Sequence, residues 1–440
     1  MFLTVLKRGW AGPVLFVLLG LTVAASNPGS SFEVWLVDQS NSSGTNHGGA
    51  IYVYDGKPLN EDDASSATPS AVIDLGGATT TLCFSATAAN PARPHMLAFN
   101  STHSHAILSF VASGHVVIFD AATRAPVSCI RTSAGAGGAR QAHAAFPAPD
   151  DSYILVANQN GKLLERIDAN FGANTFALNG AATLNLATCT TPNGIPCEIP
   201  VLRPNNSPIC PVIDSTGSNA FITLAGGGLF VVDPTTEPMS ILAEYDNATV
   251  HGNGCGGLEA NGSIYINSGA GALATNPSEF DIYAFPLSGY DASNPVNSPA
   301  PVVVFSDDAS APERDSHGMV SAKHGRYLWV LDRARNVAEV FDTNNNRVNT
   351  VDLTSSLSSD PTADLGDSSP SGNLIFVSLR GPNPLTGSPH AATGTTPGLG
   401  IIKVHGAGKT GVMKDLIPIT NVDGGGVERA DAHGVRVRLK

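Results

Sequence analysis

This 440-residue sequence predicts an all-β architecture: seven four-stranded antiparallel blades closed into a ring. Three observations carry that expectation. A short apolar run ending in Asp at a turn recurs along the chain. A second short apolar strand recurs at a steady interval before it. The chain also closes on a strand, residues 427–440, with no room after it for the rest of a repeat, while Glu33-Val34-Trp35-Leu36-Val37 has no inner strand ahead of it. Pairing the tail beside the head fills both gaps and removes exposed ladder edges.

The Asp-terminated runs are Ile51-Tyr-Val-Tyr-Asp55, Val117-Ile-Phe-Asp120, Phe230-Val-Val-Asp233 and Val340-Phe-Asp342, with Leu163–Asp168 a looser copy. Asp before Ala, Pro, Thr or Asn bonds its own backbone and opens a tight turn. The strands before them are Glu33–Val37, Ala106–Val111, Tyr153–Ala157, Ala220–Leu224, Ser263–Ile266, Tyr327–Leu331 and Asn373–Val377. Self-similarity at this period is the mark of a blade array. Counting back one strand and one turn from each copy gives the start of the innermost strands: His95, His143, Cys210, Cys255, His317 and Asp364, with His433 for the blade that the tail completes. Cys210 and Cys255 need a one-residue shift to align. Round the ring, His317, Asp364, His433, His95 and His143 then form one ionisable arc.

Composition agrees with many short strands: 46 Gly and 30 Pro, with no sustained helical period after the first residues. Size alone suggests several domains, but the repeat makes residues 27–440 one unit. A net charge of −13 without a Lys/Arg stripe excludes nucleic acid as an expected partner. Residues 1–26 read as a secretory leader, with Lys7 and Arg8 before the apolar run Pro13–Ala25. No membrane attachment is expected once the leader is removed, and the mature protein is expected to be secreted or lumenal. Asn41, Asn100, Asn205, Asn247 and Asn261 are Asn-x-Ser/Thr acceptors suited to that route. Six cysteines in an exported chain imply three disulfides. Cys189 and Cys197 flank a short loop and form a local pair. The other four can pair in three ways, and repeat position favours Cys83 with Cys129, both near outer-strand ends, and Cys210 with Cys255.

Long connections, such as residues 188–209, 267–279, 307–316 and 381–399, open on the face that carries the histidines, so that face is the expected functional one. His95, His143, His317, His433 and Asp364 are the candidate catalytic residues. Arg93, Arg140 and Arg314 would add fixed donors, and His251 sits in a loop over the same mouth. Imidazole titrates near neutrality and suits acid–base or hydrogen-bond catalysis. A metal site for copper, zinc or iron is a second use of the ring, and a non-catalytic binding scaffold a third. No Gly-x-Ser-x-Gly elbow is present, so a nucleophilic triad is not expected. His47, His103, His105, His115, His324, His390 and His405 are expected on the surface.

The inner-strand starts and the Asp-terminated turns resemble the lactonase-like seven-bladed propellers over nearly the whole mature chain. That group contains enzymes, metal proteins and binders. The leader, the acceptor sites, the closing strand and segments such as Arg93-Pro-His95-Met-Leu-Ala-Phe and Ala142-His143-Ala-Ala-Phe also resemble the exported fungal propellers that act as hetero-Diels–Alderases in tropolone sesquiterpenoid pathways. No diagnostic catalytic motif matches, so no catalytic residue is carried over. This second resemblance implies a cyclase, or pericyclase, that joins a quinone-methide diene to a terpenoid alkene. It implies no metal and no organic cofactor.

Overall fold

The computed structural model describes residues 31–40, 49–254, 256–269, 278–308, 313–385 and 392–440. Among them, strands form seven sheets of four, each antiparallel and ordered from the ring axis outward. Six blades run in chain order. The first is completed by the tail: Ala432–Leu439 is its innermost strand and pairs with Phe32–Asp38, with Leu36 opposite Val435 and Trp35 opposite Arg436. Further bonds extend this closure at both ends, from Gln39 N–H to Asp431 O at 2.9 Å and from Lys440 N–H to Ser31 O at 2.9 Å.

The second and third strands of each blade are buried on both faces because each blade is sandwiched between two others. Trp35, Val37, Leu97, Leu108, Phe110 and Val117 form one such layer between blades 1 and 2. Trp329, Ile375, Val377 and Ile402 form another between blades 6 and 7. Each fully buried aliphatic or aromatic side chain contributes roughly 1.5–3 kcal/mol. The Trp329 indole N–H finds its acceptor at Gly408 O, 2.9 Å away.

The inner strands share an irregularity that shapes the channel. Register shifts fall between Pro94 and Leu97, Ala142 and Ala144, Pro208 and Pro211, Ser316 and Met319, and Ala363 and Gly366. The first blade has its shift where Val435 and Ala432 oppose Leu36 and Asp38. Each shift is a bulge near the strand start, and a bulge re-aims the side chain it carries. His95, His143, Ile209, His317, Asp364 and His433 are the second residues of these strands. The aligned residue in blade 4 is therefore Ile209, and Cys210 lies one place further on.

Polar side chains on the second strands tie the bulges together. Ser109 Oγ donates to His143 O at 3.0 Å, Thr223 Oγ1 to Gly254 O at 2.6 Å and Ser378 Oγ to His433 O at 2.5 Å, while Asn267 Nδ2 donates to His317 O. Each bond runs from one blade to the next, so the inner strands are stitched around the axis.

Cys83 is disulfide-bonded to Cys129 and Cys189 to Cys197. Cys83 lies on a short helix, Thr80–Thr87, rather than at an outer-strand end. That helix occupies the connection into the second blade and has no apolar stripe to announce it. Cys255, and with it the pairing to Cys210, lies outside the described residues, as do Asn41, His47, His390 and residues 1–30. His105 and His115 are buried, contrary to the expectation of surface positions. His115 is held by Ser113 and Thr87, and burial with Arg131 and Arg140 nearby pushes it down to about 4. Asn100 is also buried, its amide nitrogen bonded to Thr102, Ser104 and Asp151, so it presents no free acceptor for a glycan. Asn205 and Asn261 are exposed and Asn247 half-buried. No helix among the described residues is long and apolar enough to cross a membrane.

Candidate functional site

The bulges bring four imidazoles and one carboxylate to the axis on the long-connection face. His95 and His433 lie nearly face to face, with centroids 3.7 Å apart and planes tilted by 33°. His143 meets the edge of His95 at 4.6 Å, and His317 lies edge-on to His433 at 5.9 Å. His95 Nε2 is 3.3 Å from His143 Nε2, and His143 Nδ1 is 3.1 Å from Ile209 O, which makes Nδ1 the protonated nitrogen of His143. Burial first, then the neighbouring His433 and His143, holds His95 well below the usual imidazole range. A neutral His95 can stack on His433 without placing two cations face to face.

Asp364 is the anionic centre of the group. It is fully buried, 2.9 Å from His317 Nε2 and 3.7 Å from His433 Nε2. Burial alone would raise its pKa, but His317, His433, Arg380 and Arg333 together hold it well below the carboxylate range. Arg333 Nη1 reaches it at 3.0 Å and Arg380 Nη1 at 2.7 Å. Arg380 also binds Asp431 through Nε at 2.6 Å and Nη2 at 2.9 Å, and Arg333 Nε binds Asp315 at 2.5 Å. Gln39 closes the chain of contacts, donating to Asp431 at 2.9 Å and lying 3.0 Å from His95 Nδ1.

This network has a positional logic. Asp315 and Asp431 each stand immediately before an inner strand, opposite Arg333 and Gln39, whose backbone N–H groups bond to their carbonyls at 3.0 and 2.9 Å. The same backbone bond in blade 2 joins Val111 N–H to Arg93 O at 2.9 Å. Blade 2 thus has a guanidinium where blades 1 and 6 have a carboxylate, and an apolar Val where they have a partner. Arg93 is only 5% exposed, and its Nε and Nη2 have no hydrogen-bond partner. Its backbone φ of +63° is left-handed, uncommon for a residue other than glycine. Burial lowers it to about 10, against the pull of Asp431.

The other expected donors lie elsewhere. Arg314 is buried in blade 6 on Asp332 at 2.8 Å, Asp307 at 2.8 Å and Glu339 at 2.5 Å, and so is committed to structure. Arg140 Nε bonds to Thr132 O at 2.8 Å. His251 is held in blade 5 by Asp281, 2.9 Å away, rather than in the imidazole stack. Asp315 and Asp431, each two residues before a histidine, are legible in the sequence as carboxylates beside the ring, but their partners Arg333, Arg380 and Gln39 are not expected there. Their available signal is a long polar residue just past the apolar run of a second strand, as in Val37-Asp38-Gln39, Leu331-Asp332-Arg333 and Ser378-Leu379-Arg380.

His317, Asp364 and His433 offer three ligand atoms within 4.8 Å of one another. Both Asp364 oxygens already face a guanidinium, however, and a dication there would sit beside Arg333 and Arg380. The charge of those two guanidiniums would oppose a bound dication.

No protein-family model matches the chain, and no curated protein matches it in sequence. Solved structures match it in fold. A putative 6-phosphogluconolactonase from Bacteroides fragilis aligns over 94% of this chain and 99% of its own, with a TM-score of 0.55 at 12% identity. A protein from Lactobacillus plantarum covers 92% of this chain and 99% of its own, with a TM-score of 0.56 at 10% identity. A β-propeller domain from Myceliophteria thermophila covers 79% and 96%, with a TM-score of 0.52 at 9% identity. The fold is a seven-bladed β-propeller. At these identities the likeness is one of fold, and the chemistry has to be argued from the site.

The other ends of several inner strands, away from the histidines, border a cavity. It has a volume of about 290 Å³ and is lined by Phe99, Phe146, Pro147, Val212, Ile213 and Leu258, with Glu259 and Arg436 at its edge. Phe99 lies four residues beyond His95 on the same strand, about 13 Å away at strand rise. The histidine end of these strands is therefore polar and ionised, the other largely apolar.

Proposed function

We propose that this propeller is an exported enzyme that binds a small, largely apolar metabolite at its histidine mouth and promotes ring formation of the hetero-Diels–Alder type, without metal or organic cofactor. The observation that carries the reading is Arg93, a buried guanidinium with two unpartnered nitrogens beside a stack containing a neutral imidazole. Unmatched buried donors are costly, and they are repaired by an acceptor from a ligand. A carbonyl or enolate oxygen on the diene is such an acceptor.

In a hetero-Diels–Alder step the three π bonds of diene and partner become two σ bonds and one new π bond, nothing leaves and no proton has to move, so the protein contributes positioning and charge stabilisation. Holding both partners in register removes most of the entropic part of the barrier. Donors fixed toward oxygen stabilise the charge that gathers there in the transition state. Arg93 is placed for the second task, and a neutral His95 adds no competing cation. The two disulfides, together with the exposed acceptors Asn205 and Asn261, support export. A net charge of −13 supports a small-molecule rather than a nucleic-acid partner.

The test uses purified protein with a synthetic ortho-quinone methide and an alkene, followed by chiral chromatography. The native protein should accelerate the reaction and favour one stereoisomer. Arg93→Met should lower the rate by about 10²–10³ while leaving the melting temperature unchanged or raised, because an unmatched buried charge is removed. Racemic product at the background rate, or full activity in Arg93→Met, contradicts the proposal.

The apolar cavity favours a second reading, a non-catalytic binder that takes its ligand there. Leu258→Glu would then abolish ligand binding while Arg93→Met leaves it intact.

A further inference from the structure

A separate group of ligating side chains lies in blade 5. His251, in the connection into that blade's inner strand, places Nδ1 2.9 Å from Asp281 Oδ2 and 3.8 Å from Asp308 Oδ2. One ligand atom from each of the three lies within 4.8 Å of the others. Asp281 is the second residue of the strand Phe280–Pro286, and Asp308 follows the outer strand Val302–Ser306. Three segments distant in sequence thus meet at one point.

Unlike Asp364, these carboxylates face no guanidinium or ammonium group among the described residues. Among the described residues no Lys or Arg side chain pairs with Asp281 or Asp308, and the nearby guanidiniums of Arg314 and Arg335 are both on Asp307. Residues 255, 270–277 and 309–312 contain no Lys, Arg or His to supply one. Asp281 is completely buried and its Oδ1 has no hydrogen-bond partner; Oε1 of the half-buried Glu279, two residues earlier, also lacks one. A buried carboxylate oxygen without a donor is strongly unfavourable, and such an orphan points to an ion. Tyr283 fixes the arrangement from behind: its hydroxyl donates to Asp281 Oδ2 at 3.1 Å and accepts from the His251 backbone N–H at 3.0 Å. Outer partners of this kind orient metal ligands.

We propose that His251, Asp281 and Asp308 bind one divalent first-row cation, manganese or zinc, which pins the connection into the fifth inner strand to the third and outer strands of the same blade. An imidazole nitrogen beside two carboxylates favours these ions over calcium and magnesium, which take oxygen ligands. The site does not depend on the chemistry proposed for the histidine mouth.

The full-length protein, stripped with chelator and dialysed, is titrated calorimetrically with MnCl2 or ZnCl2 and, in parallel, with CaCl2 and MgCl2. One equivalent of manganese or zinc should bind, with a raised melting temperature and at least tenfold weaker binding of calcium. Asp281→Asn should abolish uptake. Asp308→Asn, at a side chain 41% exposed and so safe for folding, should weaken it about 10–100-fold. Absence of saturable uptake, unchanged uptake in Asp308→Asn, or uptake lost in His317→Gln but kept in Asp308→Asn would overturn the assignment.

Discussion

His95 and His433 stack with ring centroids 3.7 Å apart, although 338 residues separate them in the chain. The contact joins blade 2 to the strand that completes blade 1, so ring closure and site assembly are one event. An open ring would leave His95 without its stacking partner and Asp364 without His433.

Deleting Ala432–Lys440 should therefore abolish cooperative folding. The deletion removes an inner strand, the burial of Leu36 and Trp35 against it, and the pairing of Asp38 with Ala432. Loss of a whole strand exceeds the roughly 5–15 kcal/mol by which domains are stable. Thermal melting and limited proteolysis check this, and a sharp native-like transition would count against closure.

Asp364→Asn should destabilise the protein by about 3–5 kcal/mol, because Arg333 and Arg380 stay buried and lose a shared anion. Urea denaturation at neutral pH measures the change.

Acid should weaken the fold in a defined window. His95 and His115 have folded pKa values below the unfolded imidazole value of 6.5, so the unfolded chain takes up more protons as pH falls. Stability is fully present above pH 6.5 and declines below it. His115 alone, lowered to about 4, accounts for about 3 kcal/mol across that interval. Denaturation midpoints from pH 7 to pH 4 test the slope, and His115→Phe should flatten it.

The two disulfides should differ in worth. Cys83 and Cys129 are separated by 46 residues and Cys189 and Cys197 by 8. Chain-entropy arithmetic gives about 4 kcal/mol for the first and about 2.5 kcal/mol for the second. Paired Cys→Ser variants, compared by chemical denaturation, should keep that order.

The blade period was legible because each second and third strand repeats an apolar run bounded by turn residues, and the tail pairing followed from the need to hide two edges. The four inner-strand histidines could be placed because they stand in similar frames. The blade 4 alignment slipped from Ile209 to Cys210 because the turn after its inner strand, residues 214–219, is one residue longer than the turns 100–104, 148–152 and 369–373, and a fixed count back lands one place late. His115 looked like a surface residue at a strand end, yet the helix Thr80–Thr87, invisible to pattern, covers it through Thr87. Arg314 and Arg93 look alike in sequence. Only the packing reveals that one is bound by three carboxylates and the other by none.

The most direct test of the histidine cluster is a pH titration of the imidazole nitrogens by NMR on histidine-labelled protein. His95, assigned through His95→Gln, should remain neutral well below 6.5 and shift when His433 is replaced. An imidazole at position 95 that protonates at the free value and ignores His433 would contradict the cluster and the site built on it.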